Sequence, residues 1–470
     1  MSRSSKEESA FASRRRSGRD ARLRAPRSLQ GPWVAPARRA NPVTLLLEQA
    51  ESRIADLVPV RHARMAQSPF AFFRGSALIM ASDLATMPHS GITVQLCGDA
   101  HLSNFGLFGT PERQLVFDMN DFDETLPGPF EWDVKRLAAS FAVAGRQRGF
   151  TVREIESCVA GVVQGYRDTV CTAADAPVLD AWYDRFDAER ARRRIRAERR
   201  HQRADDSEVQ RLDAAITKAR ARDRMQAFSK LVRVVDGRLR IVADPPLIVP
   251  IEDLVDPGAQ DGGEESVMRE LLESYRRTLP GDRHPMTEYR YRHMARKVVG
   301  VGSVGTRAWV ILLSGRNDDD PLLLQAKEAQ PSVLERFLAP SEFESSGERV
   351  VRGQRTLQAS SDIFLGWQRV TGIDGQARDF YIRQLHDWKA GIDPEKMSPR
   401  GASVYATVCG ETLARAHARS GDRLEIAGYV GRGAAFTDAI GAFALTYADQ
   451  NERDFEAFAA AISAERIAAP

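Results

Sequence analysis

Apolar residues change their spacing twice along this chain, and that change limits the folds open to it. From Asn41 the stretch PVTLLLEQAESRIADLVPVRHARMA has helical spacing until Ser68-Pro69 breaks it. Residues 131–170 are helical too, with Val134, Leu137, Ala138, Phe141 and Ala142 on one face. After Lys297 the texture turns β-rich over Val298–Leu313, Leu322–Lys327, Ile363–Val370 and Phe380–Leu385, interrupted by a helical stretch at about Gly347–Ala359. From Pro399 the chain is Ala-rich and helical again, Tyr405, Val408, Leu413 and Ala416 sharing a face. A β-rich block set inside helical sequence reads as an α+β architecture. Shorter β runs lie at Gly91–Cys97 and Leu115–Met119. Leu231–Val242 alternates around Asp236-Gly237 as a hairpin, and Glu264–Leu279 reads as an amphipathic helix.

The 470 residues, 43% of them hydrophobic, predict two or three structural units. The overall charge of +3 hides an asymmetry. Residues 1–40 hold 11 basic and 3 acidic residues, net +8, so the other 430 carry −5. This head, rich in Ser and Arg with Pro26, Pro32 and Pro36, reads as a disordered basic tail. Residues 184–225 carry 14 Lys/Arg against 9 Asp/Glu, which suits a solvated helical insertion laced with i,i+4 pairs. As a nucleic-acid arm it lacks aromatics along Arg190–Arg224 on which bases would stack. No segment approaches the ~20 apolar residues of a membrane helix. No apolar run follows the N-terminal arginines, and Cys97, Cys158, Cys171 and Cys409 are scattered. A reducing, cytoplasmic setting is expected.

The sharpest segment is Cys97-Gly-Asp-Ala-His-Leu-Ser-Asn-Phe-Gly106. A short apolar strand delivers Asp99, and Asn104 follows five residues later. That spacing matches the catalytic loop of kinases, where one carboxylate faces the incoming nucleophile and an amide oxygen on the next turn reaches a metal. Shortly after it comes Leu115-Val-Phe-Asp118-Met-Asn-Asp121-Phe-Asp123-Glu124, a carboxylate cluster at a strand end that suits a hard cation such as Mg²⁺. By itself such a cluster is an Asx-rich turn; after the first motif it becomes the expected metal grip.

A third piece, Gly300-Val-Gly302-Ser303-Val-Gly305, is a full G-x-G-x-x-G. A dinucleotide fold needs a helix after the last glycine. Here Thr306-Arg-Ala-Trp-Val-Ile-Leu-Leu313 follows, strand-like, so the glycines read as a phosphate lid between strands. The next strand, Leu322-Leu-Leu-Gln-Ala-Lys327-Glu328, presents a lysine after an apolar run. An edge-strand lysine is the bland alternative. Glu348, in the following helix, is the first choice to hold it, with Glu335 as rival. Arg74 is a candidate for gripping a phosphate or acidic acceptor. His101 suits a structural hydrogen bond, and His417 a cation at a helix C-terminus.

The segment G-D-A-H-L-S-N resembles the G-D-x-H-x-x-N loop of aminoglycoside and choline-type phosphotransferases, within the protein-kinase-like superfamily. Together with F-F-R-G (Phe72–Gly75), N-D-F-D-E-T (Asn120–Thr125) and V-G-V-G-S-V-G, it looks like the bacterial family called domain of unknown function 2252, over roughly residues 65–460. The resemblance implies Asp99 as catalytic base and Asn104 with Asp121 as metal ligands, Asp118 being the rival for Asp121 and Asp123 a further candidate. It implies Gly300, Gly302, Ser303, Gly305 and Lys327 as the ATP phosphate cradle, and Asp133 as the residue bracing the loop. In kinases the glycine loop and lysine precede the catalytic loop; here they follow it by about 200 residues. A circularly permuted two-lobed fold reconciles the order. Its large, mainly helical lobe would span 41–285, its small antiparallel β lobe 286–390, and helices of 391–470 would return to the large lobe. Tyr381–Lys389 would then line the adenine.

The expected activity is ATP- and Mg²⁺-dependent phosphotransfer to a small hydroxyl or amine, no Ala-Pro-Glu-bounded activation segment being present. Nucleotidyl transfer, or nucleotide binding without turnover, would use the same residues. A nucleic-acid-binding role predicts instead an interaction that weakens steeply with salt and survives Asp99→Ala.

Overall fold

The computed structural model describes residues 3–200, 224–254, 263–281, 283–298, 304–372, 374–385, 390–391 and 396–469, together with 210, 213–214 and 216–219. Helices α1 (Arg3–Arg24), α2 (Pro42–Ala50), α3 (Val58–Met65), α4 (Pro69–Gly75) and α5 (Ala77–Leu84) lead the chain. Asn41 caps α2 by accepting from the amides of Val43 and Thr44, with Pro42 in the first turn. The Ser68-Pro69 break is a restart: Ser68 Oγ accepts from Ala71 N and opens α4. Next come β1 (Thr93–Leu96), β2 (Phe105–Gly109), β3 (Leu115–Met119) and β4 (Leu126–Pro129). Then α6 (Glu131–Gln147), α7 (Val152–Asp175), α8 (Val178–Tyr183), β5 (Phe186–Asp187) and α9 (Ala188–Arg200) follow.

The hairpin forms as β6 (Val232–Val235) and β7 (Arg238–Ile241), preceded by α10 (Arg224–Leu231). Its turn has φ 50° at Asp236 and φ 72° at Gly237, the left-handed pair that Asp-Gly supplies. After β8 (Ile248–Pro250) and α11 (Gly263–Arg276) the main sheet is laid down: β9 (Arg290–Lys297), β10 (Ala308–Ser314) and β11 (Pro321–Ala329). Then come α12 (Ser346–Leu357), β12 (Gly366–Thr371), β13 (Ala377–Gln384) and β14 (Ala390–Gly391). Helices α13 (Pro399–Ser420), α14 (Arg423–Val430) and α15 (Ala435–Ser463) end the chain.

The six-stranded sheet is antiparallel, in the order β12-β13-β11-β10-β9-β8. Leu322, Leu324 and Ala326 of β11 pack on one face with Tyr275 of α11. Side chains alternate along a strand, so Leu323 looks the other way, with Val310 and Leu312 of β10. That second face meets Val232, Leu239 and Ile241 of the hairpin. Lys327 shares Leu323's parity and opens onto this face as well. The β14-β2-β3-β5 sheet and the β1-β4 pair sit in the helical body with α6, α7 and α13–α15, whose apolar faces form the largest core. Fold class is therefore α+β with antiparallel sheets. Among the described residues no helix is long and apolar enough to cross a membrane.

The N-terminal head departs from expectation. Instead of a disordered tail, α1 packs along α14, and Ala21, Ala25 and Trp33 are buried. Gly18 permits the approach: a Cβ there would lie 2.0 Å from Glu425 O. The arginines that suggested a solvated tail cap carbonyls at the end of α14, Arg22 Nε donating to Tyr429 O at 2.9 Å and Arg27 to Val430 O at 2.9 Å. Within 184–225, α9 is a paired, charged helix, Arg192 meeting Glu189 and Asp213 at 2.8 and 2.9 Å.

Candidate active site

The loop after β1 hangs from one carboxylate. Asp133, in the first turn of α6, accepts from Cys97 N at 2.6 Å and from Gly98 N at 3.0 Å. Gly98 has φ 85°, and a Cβ there would lie 2.2 Å from Glu124 O, so the turn tolerates only glycine. Behind Asp133 stands His417, its Nε2 3.3 Å from Asp133 Oδ2 and its Nδ1 2.9 Å from Tyr166 Oη. His417 sits in the last turn of α13, where the sequence placed it, and is wholly buried in this chain of contacts.

Asn104 Nδ2 donates to Asp99 O at 2.8 Å, which spends the amide nitrogen on the loop and leaves the carbonyl oxygen for a cation. Asp99 is half-buried, and Arg136 Nε donates to its Oδ1 at 2.5 Å. Burial pushes the Asp99 carboxyl up to about 7, against the opposing pull of Arg136. His101 Nε2 lies 3.9 Å from Asp99 Oδ2. Burial, helped by Arg74 and Arg136, holds the His101 imidazole well below its usual range, so it stays neutral beside Asp99.

Beyond β3 the three aspartates separate. Asp118 points into the body: Oδ1 accepts from Met119 N at 2.9 Å, Oδ2 from Ala359 N at 3.3 Å, and Arg419 stands 4.0 Å away. Lying on the strand rather than past its end, it drops out as a metal candidate. Asp121 and Asp123 line a cleft of about 460 Å³ together with Asp99, His101, Asn104 and Arg74. Asp121 Oδ1 is buried and makes no hydrogen bond. Asp123 accepts from Tyr381 Oη. Burial disfavours the Asp123 carboxylate, yet Lys327 and Tyr381 hold it below its usual range.

Lys327 reaches this cleft from β11. Its Nζ lies 3.5 Å from Asp123 Oδ2 and 4.0 Å from Asp121 Oδ1, and 5.7 Å from the centroid of the Tyr381 ring. Burial works against the ammonium, but Asp123, Tyr381 and Asp121 outweigh it and keep Lys327 charged. Neither expected glutamate holds it. Glu348 turns to Arg352, 3.2 Å away, and Glu335 lies beside Arg349 at 3.8 Å while closing the Ser332 cap. One residue along a helix is a 100° rotation, and it is the next side chain, Arg349, that faces inward. Arg349 donates to Asp123 O, Thr125 O and Gln330 O at 2.9, 2.6 and 2.7 Å, tying the acidic loop to the end of β11.

Gly300, Gly302 and Ser303 lie outside the described residues, as does most of 386–395 beyond Tyr381–Leu385. Gly305 has φ 91°, and its carbonyl accepts from Ile54 N at 2.8 Å. Thr306 lines the cleft.

The donor set suits Mg²⁺ in one particular way. Among the described residues no three His, Cys, Asp or Glu side chains gather to cage an ion. Magnesium, however, is commonly held by one or two carboxylates plus substrate phosphates. The unbonded Asp121 oxygen and the Asn104 amide oxygen offer that partial shell.

Over residues 53–461 the chain matches the family model described as "Uncharacterized protein conserved in bacteria (DUF2252)". The chain belongs to the DUF2252 family. No curated protein and no solved structure matches it. The DUF2252 region holds the cleft from Arg53 to Arg336, while Glu48, Gln49 and Ser52 join the lining from just before it. In this DUF2252 chain the sequence reading missed Arg136 and Arg349, and it gave Tyr381 to the adenine, whereas the tyrosine donates to Asp123. A signal existed only for Arg136, which follows Asp133 by three residues and so shares its helix face.

Proposed function

We propose that this protein is an ATP- and Mg²⁺-dependent phosphotransferase acting on a small hydroxyl or amine, built as a kinase-like pair of lobes in permuted order. One observation carries the reading: Lys327 Nζ lies 3.5 and 4.0 Å from the Asp123 and Asp121 carboxylates, in the cleft that Asp99 and Asn104 also line. Sheet order supports it, since β9 and β10 flank the glycine turn, β11 bears the lysine at mid-sheet, and α12 follows. Asp99 accepts the proton of the acceptor, and Arg136 positions it. Lys327 and backbone amides near Gly305 neutralise phosphate oxygens. Asp121 and Asn104 would hold Mg²⁺, which offsets charge developing on the phosphates. Catalysis is then positioning plus electrostatics. The basic segments offer less to a nucleic acid, because Arg190, Arg192 and Arg194 are ion-paired and Arg22 and Arg27 cap carbonyls.

A second reading, nucleotidyl transfer, draws on the hairpin. Val232, Leu239 and Ile241 cover the Lys327-bearing face of β9–β11 next to Leu385, where a nucleotide base would otherwise stack. A base entering from the opposite end would bring the α-phosphate to Asp121. Thermal denaturation with Mg²⁺–ATP tests nucleotide binding: wild type should be stabilised, and Lys327→Met or Asp121→Asn should abolish the shift. No shift in wild type would sink both readings. ATP labelled at the α- or γ-phosphate then distinguishes them by which label reaches the acceptor.

A further inference from the structure

We propose that Arg61 is the centre of an anion-binding subsite on the α2–α4 wall of the cleft, taking a phosphate or carboxylate group of the acceptor. The assignment to the acceptor rests on the phosphotransferase reading; the anion site itself does not.

Arg61 is 0% exposed yet lines the cleft. Its Nη2 donates to Gln49 Oε1 and Gly75 O, both at 2.9 Å. Its Nε and Nη1 are buried with no hydrogen-bond partner. Among the described residues no carboxylate forms an ion pair with it. The other buried arginines each face a carboxylate: Arg136 meets Asp99 at 2.5 Å, Arg415 meets Asp184 at 2.7 Å, and Arg349 lies 3.8 Å from Glu335. A buried, uncompensated cation is costly, and here burial and the nearby Arg53 both bear against the guanidinium. Four of the cleft's own acids are engaged elsewhere, and Asp121, whose Oδ1 makes no hydrogen bond, lies 4.0 Å from Lys327. Asp123 faces Lys327, Glu124 accepts from Val333 N, Glu328 pairs with Arg307 and Glu48 with Arg336. What the site lacks is an anion from outside, with planar N–H groups ready to receive it.

Position argues for the acceptor. The triphosphate elements, Lys327 and the Gly305 turn, come from β10–β11 and the turn before them. Arg61 belongs to α3 and touches the last residue of α4, next to Arg74, which bears on His101 beside Asp99. An anionic substituent held there leaves the acceptor's nucleophile free to reach Asp99.

The test uses the full chain in thermal denaturation with two probes, inorganic phosphate and Mg²⁺–ADP. Both should stabilise wild type. In Arg61→Gln the phosphate needed for a half-maximal shift should rise about 10- to 100-fold, as for a lost charge-assisted hydrogen bond, while the Mg²⁺–ADP shift persists. Absence of a phosphate shift in wild type, or an unchanged shift in Arg61→Gln, overturns the subsite. Loss of both shifts in a folded Arg61→Gln protein gives the arginine to the nucleotide and overturns the acceptor assignment. If Arg61→Gln does not fold, Arg74→Gln is read with the same two probes and the same outcomes. A wild type that answers to phosphate but not to Mg²⁺–ADP refutes the phosphotransferase reading and leaves the anion site standing.

Discussion

Asp99 is held between opposing influences, burial favouring its neutral form and Arg136 its charge. With its carboxyl raised to about 7, the proton-accepting form gains as pH climbs through neutrality. Carbon NMR of the Asp99 carboxyl should show a midpoint near that value, and Arg136→Gln should move it upward, since the opposing cation is gone; a midpoint in the usual range near 4 would refute the assignment. Asp133→Asn removes one of two acceptors for Cys97 N and Gly98 N, at about 1–3 kcal/mol measurable in denaturant, and should loosen Asp99. Asp99 and Asn104 were legible because a short loop fixes their spacing. Asp118 and Asp121 were not separable, since which one faces the cleft depends on where β3 stops. Glu348 and Arg349 differ only in helix face, which adjacent letters do not reveal.

Elements read better than their partners. The β-rich block, the Asp-Gly hairpin and the helices after Pro399 follow from period and turn chemistry, which act over a few residues. What the hairpin covers is set by tertiary contact and has no local signal. Substituting Gly237 by valine forces a β-branched residue to φ 72° and should cost about 1–2 kcal/mol of stability, read by denaturant unfolding. Helix α6 holds a different cost. Lys135 is buried, its Nζ 3.4 Å from Met87 Sδ and 5.0 Å from the Phe443 ring centroid. Burial pulls its ammonium down to about 7. In the unfolded chain it titrates near ~10.4, so between these values the folded state binds fewer protons and stability rises with pH. Lys135→Met should therefore stabilise at pH 7 by about 1–4 kcal/mol and flatten that rise; an unchanged pH dependence would count against it.

At the scale of the molecule, composition misled at one end. Counting arginines gave residues 1–40 to solvent, whereas Gly18 and the exposed carbonyls of α14 give them a seat. Truncation before Asn41 should lower the melting temperature by several degrees; an unchanged value would mean α1 is dispensable to the folded body. The meeting of Lys327 with Asp121 and Asp123 could be expected only by setting chain order aside, because no local rule brings together segments so far apart. Asp133 is backed by His417, whose helix is written near the end of the message. A nascent chain therefore carries Asp99 out of the ribosome long before either Lys327 or His417 exists, and the loop that holds Asp99 gains its full bracing only once α13 has been made.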